Sequence, residues 1–221
     1  MFILSTLEDN VRIAPQDLGK PPAVAITTAL EKSFLDKAVA GLGLVVTLYD
    51  ILSIGDGYVY PSDGGAHYKV CFRVVVFRPF RDELLVGKVH KMTKEGMYVD
   101  LGFFKDVIIP PHGMPEPSFW KGDDEASNAA ATNSRGKAWL WKVEGQDLFF
   151  ERGLPLRFKV QIVRFNPVPT LASQQKQQQE GEPVVGTSDR PFVPMEVVGR
   201  ADGDGLGMVH WYAAADDDMA E

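Results

Sequence analysis

The 221-residue chain has one cysteine, Cys71, which excludes an internal disulfide framework and a cysteine-rich structural zinc site. A single thiol is typical of proteins in a reducing compartment. The four histidines are scattered without the spacing of a metal motif, so we expect no metal site. The chain also has no run of about 18 apolar residues, and we expect no membrane span.

An excess of basic side chains is absent as well. The formal net charge is −7, and residues 166–221 carry most of it, with 3 basic and 10 acidic side chains. Residues 81–165 have 13 basic and 12 acidic side chains. Any contact with a nucleic acid should therefore be local, on this middle segment, and sensitive to salt. An ordinary solvated surface would give the same balance, and charge alone does not choose between the two.

Catalytic motifs are missing too. There is no GxSxG sequence, and the glycine-rich segment GDGLG (residues 203–207) is not followed by a helix pattern or a Lys-Ser/Thr pair. We therefore predict that the chain is not an enzyme and that it binds no cofactor.

Residues 1–80 have the pattern of an α+β domain with one helix packed on an antiparallel sheet. Residues 2–6 favour a strand that residues 11–13 could prolong. Apolar residues at every fourth position predict a helix from about residue 23 to residue 40, ended by Gly41 and Gly43. Residues 44–52 and 70–77 favour strands, the second of them central because both of its faces are apolar. The segments GDG (residues 55–57) and PSDGG (residues 61–65) favour turns.

Residues 81–221 have the pattern of a small all-β barrel with insertions, and we predict an OB fold. The expected strands alternate apolar and polar residues or are bounded by glycines. In the last of them Leu156, Phe158, Val160 and Ile162 should point inward. The five strand candidates are residues 84–90, 96–101, 106–109, 138–143 and 156–164.

Three segments do not fit the barrel pattern. Residues 111–137 predict a long mobile loop, and the glutamine-rich residues 166–190 predict a disordered insert. Residues 192–198 favour one more strand. Residues 213–221 predict a frayed acidic tail.

The barrel offers aromatic and basic side chains that could bind single-stranded RNA by base stacking and phosphate contacts. One of Phe103 and Phe104 should belong to the barrel core, because an aromatic ring buries a large apolar area. The lysines could also be plain solubility charges. The candidate RNA-binding residues are Lys88, His90, Lys91, Lys94, Tyr98, Phe104, Lys105, Arg157 and Lys159.

The block from Cys71 to His112 joins the two domains and resembles the two-domain stalk subunits of multisubunit RNA polymerases. The terminal segments MFILSTLEDNVRI and DGDGLGMVHWY are similar to the RNA polymerase III branch of that family. Further matching segments occur in the same order along the chain. They are GLGLVVTLYDI, YVYPSDGGAHYKVCFRVVVFRPF, EGMYVDLGFFKDVIIPP, WLWKVEG and LRFKV.

This resemblance implies a non-catalytic nuclear subunit that acts in transcription initiation at genes for tRNA and other small RNAs. Residues 1–80 would be a tip domain that docks on the polymerase III core through Pro61, Asp63 and Gly64. The barrel would contact nascent RNA and initiation factors. A small helical stalk subunit would form a heterodimer with the chain and contact Arg78, Pro79 and Phe80.

Two other hypotheses remain open from the residues. The chain could be a free-standing OB-fold RNA-binding factor, or the stalk subunit of another nuclear RNA polymerase. A hydrolase or nuclease would need a carboxylate or histidine cluster, which the sequence does not show.

Overall fold

The structure of the chain is a computed structural model, which describes residues 1–121, 138–143, 145–166 and 192–212. The chain divides into two compact units, Met1–Arg78 and Pro79–Glu221.

The first unit is a four-stranded antiparallel sheet with one helix, as the sequence predicted. The strand order is β1-β4-β3-β2, so β4 is central between β1 and β3. A short 3-10 helix, Pro15–Asp17, follows β1. The elements are β1 (Phe2–Ile13), α1 (Pro22–Phe34), β2 (Ala38–Val39), β3 (Gly43–Val59) and β4 (Ala66–Phe77).

The core of this unit lies between α1 and one face of the sheet. Ile26 and Leu30 of the helix are buried, and so are the alternating residues of β4 that face the same cluster. Their burial removes apolar surface from water, which is the main driving force for packing a helix on a sheet. The buried residues of β4 are Val70, Phe72, Val74 and Val76.

Two predictions for this unit were wrong. The helix ends at Phe34 rather than near residue 40, because Ala38 and Val39 pair with β3 and are drawn into the sheet. Strand β3 does not stop before Gly55-Asp56-Gly57 but continues through this segment to Val59. The register shifts between Ile54 and Gly57, so the glycines accommodate an irregularity of the ladder instead of a turn.

The second unit contains the predicted barrel. Its five barrel strands are paired in the cyclic order β5-β6-β7-β12-β11 and back to β5, and only the β7–β12 pair is parallel. This is the five-stranded closed arrangement of an OB fold. The strands of the unit are β5 (Leu84–Thr93), β6 (Gly96–Asp100), β7 (Val107–Ile109), β8 (Ser118–Lys121), β9 (Ala138–Val143), β10 (Gln146–Phe149), β11 (Pro155–Phe165), β12 (Met195–Arg200) and β13 (Gly207–Met208).

The choice of the barrel strands differs from the prediction in one place. Strand β9 is not part of the barrel but is the middle strand of a separate antiparallel sheet, β8-β9-β10. The fifth barrel strand is β12, which overlaps the further strand expected at residues 192–198. Part of the predicted 111–137 loop forms β8, whereas residues 122–137 lie outside the described residues. Residues 167–190 and the acidic tail also lie outside them.

The barrel interior is apolar, with one departure from the predicted alternation in β11. Leu156, Phe158 and Val160 are fully buried, but Ile162 is 48% exposed. The register of β11 with β12 shifts between Val160 and Ile162. This irregularity turns Ile162 out of the core, because one extra residue reverses the facing of every side chain that follows.

Tryptophans connect the three-stranded sheet to other parts of the second unit. The Trp139 Nε1–H donates a hydrogen bond to the Thr93 carbonyl oxygen at 2.9 Å. Trp211, in a short 3-10 helix (Val209–Trp211) after β13, lies with its ring centroid 5.5 Å from that of Trp141 and 4.9 Å from that of Phe150. The ring contacts of Trp211 therefore hold the segment that follows β13 against this sheet.

Candidate nucleic-acid interface and assembly surfaces

Most of the candidate RNA-binding residues lie on three neighbouring strands of the barrel. Strand β5 pairs with β6 on one side and with β11 on the other, so outward side chains of the three strands share one surface. Lys88 is opposite Pro155, and Val86 is opposite Arg157, which places Lys88 and Arg157 diagonally across the strand pair. Both side chains are exposed. We call the surface formed by the outward residues of β5, β6 and β11 the barrel face.

A bulge in β5 increases the positive charge of the barrel face. Val89 is opposite Val99, but Lys91 is opposite Tyr98, so His90 is the extra residue of the ladder. As a result, the side chains of His90 and Lys91 are both exposed. In a strand without a bulge, two neighbouring side chains would point to opposite faces of the sheet. Lys94 is exposed in the turn that follows β5. The bulge thus keeps His90 and Lys91 both at the surface, beside the exposed Lys94.

Tyr98 supplies the aromatic ring of this surface. It is half-buried between the buried Met97 and Val99, and the Lys91 Nζ lies 5.9 Å from its ring centroid. A cation beside a partly exposed ring is the combination that single-stranded nucleic acids use, with a base on the ring and a phosphate on the ammonium.

The prediction for Phe104 is wrong. Its side chain is 6% exposed, whereas that of Phe103 is 46% exposed. The backbone N–H of Leu101 donates a hydrogen bond to the Phe104 carbonyl oxygen at 2.9 Å, which closes the turn with Phe104 on the core side. Of the two rings, Phe103 is the one that a base could reach.

Two of the predicted lysines have carboxylates nearby. Lys105 is exposed, with its Nζ 4.0 Å from Oδ2 of Asp100. Lys159 is half-buried, with its Nζ 3.2 Å from Oδ1 of Asp82, and Arg200 approaches the same carboxylate at 3.8 Å. Part of the charge of Lys159 is therefore compensated within the protein. This pairing is not visible in the sequence, because the partners are far apart along the chain.

The predicted docking residues Pro61, Asp63 and Gly64 form the end of the β3–β4 hairpin. The backbone N–H groups of Asp63 and Gly64 both donate hydrogen bonds to the Tyr60 carbonyl oxygen, at 3.0 and 3.1 Å. Gly64 has φ of +67°, a value that favours glycine. The hairpin end is thus a tight, ordered turn.

The Asp63 carboxylate anchors this turn to strand β1. The Arg12 Nε donates a hydrogen bond to its Oδ2 at 2.8 Å, and the His67 Nε2 lies 2.8 Å from the same oxygen. Hydrogen bonds from Arg12 and then His67 hold the pKa of the Asp63 carboxyl well below its ordinary range. This network could not be predicted from the sequence, since its members meet only when β1 and β4 pair.

Exposed aromatic residues border the hairpin end. Tyr58, Val59 and Tyr60 are all exposed, and the Tyr60 ring contacts His67 with centroids 5.0 Å apart. Contiguous apolar residues on a surface are typical of an interaction site. The turn was predictable from its Pro-Ser-Asp-Gly-Gly sequence, whereas the exposure of the apolar segment before it was not.

The predicted partner-contacting residues differ in their exposure. Arg78 is exposed at the end of the first unit, and its backbone N–H donates to the Met1 carbonyl oxygen at 2.8 Å. At the start of the second unit Pro79 is buried and Phe80 is exposed. Phe80 is therefore the apolar side chain of this segment that a partner could bury.

Within the described residues, no helix has the length and apolarity needed to cross a membrane. Over the same residues, no group of three or more His, Cys, Asp or Glu side chains is placed to hold a metal ion.

Comparison with known protein families gives two matches that together cover both units. Residues 83–212 match the model of the RNA polymerase III subunit Rpc25. Residues 8–64 match the SHS2 domain found in the N terminus of Rpb7p, Rpc25p and MJ0397.

RNA polymerase III subunits match over nearly the whole chain. The DNA-directed RNA polymerase III subunit rpc8 of Dictyostelium discoideum is 36% identical over 96% of this chain and 85% of its own length. Subunit RPC8 of Bos taurus is 33% identical over 97% of this chain and all of its own length. In contrast, the RNA polymerase II subunit RPB7 of Saccharomyces cerevisiae matches 52% of this chain at 30% identity. The chain therefore belongs to the Rpc25 family of RNA polymerase III subunits, the polymerase III branch of the two-domain stalk subunits.

Proposed function

We propose that the chain is a non-catalytic stalk subunit of RNA polymerase III that acts in the nucleus, in the initiation of transcription of tRNA and other small RNA genes. It forms a heterodimer with a small helical stalk subunit, docks on the polymerase core through its first unit, and contacts nascent RNA and initiation factors through its barrel.

The observation that carries this proposal is the match over the full length of polymerase III subunits. The Bos taurus subunit is covered completely, including both units in the same order. A free-standing RNA-binding factor would need only the barrel, whereas a stalk subunit needs a docking unit and a projecting unit in one chain. The absence of a recognisable catalytic motif in the sequence agrees with a subunit that supports a reaction carried out elsewhere in a complex.

Contact with RNA is supported by the composition of the barrel face. Lys88, His90, Lys91 and Arg157 are exposed there, and the Tyr98 ring lies beside Lys91. Single-stranded nucleic acids bind OB barrels through such pairs of cations and aromatic rings. The acidic side chains near Lys105 and Lys159 reduce the positive potential, so we expect moderate, salt-sensitive affinity.

Docking is supported by two groups of exposed apolar side chains, the segment Tyr58-Val59-Tyr60 of the β3–β4 hairpin and Phe80 after β4. The hairpin end, with Pro61, Asp63 and Gly64, is ordered by the Arg12–Asp63 pair and is preceded by the exposed segment Tyr58-Val59-Tyr60. An ordered apolar projection loses little conformational entropy on binding, which favours a rigid insertion into a larger body. We assign this hairpin to the polymerase core, and we assign Arg78 and Phe80 to the helical partner.

The experiment is affinity purification of the tagged chain from nuclear extract, with mass spectrometry of the bound proteins. We expect the large polymerase III subunits and one small helical protein. Recovery of the subunits of another polymerase would contradict the polymerase III assignment. Recovery of no polymerase at all would favour the free-standing RNA-binding factor instead.

The same purification, repeated with a variant of the β3–β4 hairpin, tests the assignment of this hairpin to the polymerase core. Tyr58→Ser with Tyr60→Ser should reduce recovery of the core subunits and leave the small helical partner bound. Phe192→Ser, which changes an exposed aromatic residue of the second unit, is the control and should behave like the parent chain. Equal loss of core and partner in the tyrosine variant would show that the hairpin does not act in core docking alone.

A further inference from the structure

The three-stranded sheet β8-β9-β10 has a row of apolar side chains on one of its faces, of which the middle one, Leu140, is buried and the outer two are at least partly exposed. In its register Leu140 of β9 is opposite Phe119 of β8 on one side and Phe149 of β10 on the other. Directly opposed residues of antiparallel strands share a face, so the three side chains form one row across the sheet. We call this surface the insert face.

The insert face is not the face that carries the tryptophans. Trp120, Trp139 and Trp141 alternate with Phe119, Leu140 and Lys142 along β8 and β9, and therefore lie on the opposite side. That side is already engaged, since Trp139 bonds to Thr93 and Trp141 contacts Trp211. Phe119 on the insert face is nevertheless 49% exposed, although a phenylalanine gains free energy from burial.

Two lysines flank the aromatic row. The Lys142 Nζ lies 5.5 Å from the centroid of the Phe119 ring, and the Lys121 Nζ lies 5.4 Å from that of the half-buried Phe149. Both lysines are exposed, and the register places them on the insert face. Asp147, opposite Lys142, is the acidic residue of β10 on the same face, so these strands give the face more positive than negative charge.

The two aromatic rings lie on the outer strands of this sheet, Phe119 on β8 and Phe149 on β10, and each is next to a lysine. A purely apolar partner would bring no counter-charge to the two ammonium groups and would desolvate them, although Asp147 is the one carboxylate that these strands place on the face. A single-stranded RNA offers flat bases for the rings and phosphates for the lysines, and sheet faces with exposed aromatics bind RNA in this way. We propose that the insert face is a second binding surface for single-stranded RNA, separate from the barrel face. This goes beyond the proposed function, which needs only the barrel face.

The test measures the binding of the full chain to a fluorescein-labelled 20-nucleotide oligouridine by fluorescence anisotropy over a series of salt concentrations. Phe119→Ala should weaken binding by about fivefold or more, as expected for the loss of one stacked base. Lys121→Gln with Lys142→Gln should lower the slope of log affinity against log salt by about 1.4. This lysine pair is exposed, so it tests the proposal even if Phe119→Ala disturbs the fold.

Two controls match these changes. Phe192→Ala removes another exposed phenylalanine, 46% exposed, from the same unit. Lys32→Gln with Lys37→Gln removes the same charge from exposed positions of the first unit. Both controls should bind the RNA like the parent chain.

Crosslinking then locates the contact. An oligouridine with 4-thiouridine should crosslink to peptides of β8 or β10 as well as to β5, and Phe119→Ala should reduce only the crosslinks on β8 and β10. Parent-like binding by Phe119→Ala and by the lysine pair, with crosslinks confined to the barrel strands, would overturn the proposal. Competition by polyglutamate as strong as that by RNA at equal charge would also overturn it, in favour of an acidic protein.

Discussion

The Asp63 carboxylate makes the end of the β3–β4 hairpin sensitive to acid. Arg12 and His67 hold the pKa of this group below its ordinary range, so the ionised form is favoured in the folded protein. Its contribution to stability is complete above the pKa of the unfolded chain, about 4, and is lost as the pH falls towards the lower folded value. We predict that Asp63→Asn lowers stability at pH 7 and flattens the pH dependence of unfolding below about pH 4.

Urea unfolding at pH values from 7 down to 2.5 measures both effects. Asp56→Asn removes another carboxylate from strand β3 of the same hairpin and is the matched control, which should follow the parent chain more closely than Asp63→Asn does. An unchanged pH profile for Asp63→Asn would mean that solvent screens the Arg12 and His67 interactions completely.

Gly207 allows the Trp211 ring to pack closely on the backbone of β13. Its φ is +113°, and a Cβ at this position would lie 2.7 Å from an atom of the Trp211 ring. An alanine would therefore strain the backbone and push the ring away from Trp141 and Phe150. We predict that Gly207→Ala lowers the free energy of unfolding by about 2–4 kcal/mol and shifts the tryptophan fluorescence towards the red.

Gly205→Ala separates the two causes. Gly205 also has positive φ, +70°, but nothing lies within 4 Å of its Cβ position. Backbone strain alone should cost about 1–2 kcal/mol, with the fluorescence unchanged. Equal effects of the two alanines would show that the contact with Trp211 adds nothing.

Side-chain facing in a turn could not be predicted from the sequence. Phe103 and Phe104 are adjacent in a turn where the alternation of a strand does not apply, and the buried one is Phe104, stabilised by the bond of its carbonyl group to Leu101. For strand residues such as Lys88 and Arg157, the alternation of inward and outward side chains was sufficient to predict exposure, and both are exposed.

At the scale of elements, strand β3 shows why the period-two pattern is incomplete. The residues of β3 that are opposite the buried residues of β4 occur at every third position, because a register shift follows each of them. They are Val45, Leu48, Ile51 and Ile54. A regular spacing of three is not a strand signal, and the glycines of residues 55–57 look like a turn. Close packing explains one of them, since a Cβ on Gly57 would lie 2.6 Å from the Tyr68 ring. The element was predictable, but its 17-residue length was not.

The bulge in β11 gives a test at the same scale. The sequence pattern placed Ile162 in the core with Val160, but the bulge exposes Ile162 while Val160 stays fully buried. We predict that Ile162→Thr changes the free energy of unfolding by no more than about 0.5 kcal/mol. Val160→Thr is the comparison and should cost about 1–3 kcal/mol, because it buries a hydroxyl group in an apolar core.

Thermal unfolding of the two threonine variants, checked by urea unfolding, decides between the pattern and the structure. Equal costs for both variants would restore the alternation predicted from sequence and place Ile162 inside the barrel.

At the scale of the whole molecule, the barrel was predictable and its strand membership was not. The closing strand β12 is separated from β11 by a long insertion, and its partners β7 and β11 are fixed only by tertiary pairing. Strand β9 has the same composition as a barrel strand, yet β8 and β10 pair with it in a separate sheet. Local pattern identifies a strand, whereas the sheet it joins depends on contacts between distant segments.

The proposed assignment of core docking to the first unit and of RNA contact to the second makes a last prediction. Replacing Lys88, Lys91 and Lys94 by alanine removes two exposed charges of the barrel face and one from the turn beside it, all of them in the second unit. RNA binding should weaken, and its salt slope should fall by about 2, because each phosphate contact on a single strand contributes about 0.7. Recovery of the polymerase core and of the helical partner should stay at the parent level, since we assign both to other surfaces.

The matched control replaces Lys20, Lys32 and Lys37 of the first unit, which changes the net charge by the same amount at exposed positions. A general electrostatic effect would weaken RNA binding equally in both triple variants, because long-range attraction depends on net charge. A local effect would confine the loss to the barrel variant. If the barrel variant also lost the core or the partner, the same surface would serve assembly as well as RNA, and the separation of roles between the units would be wrong.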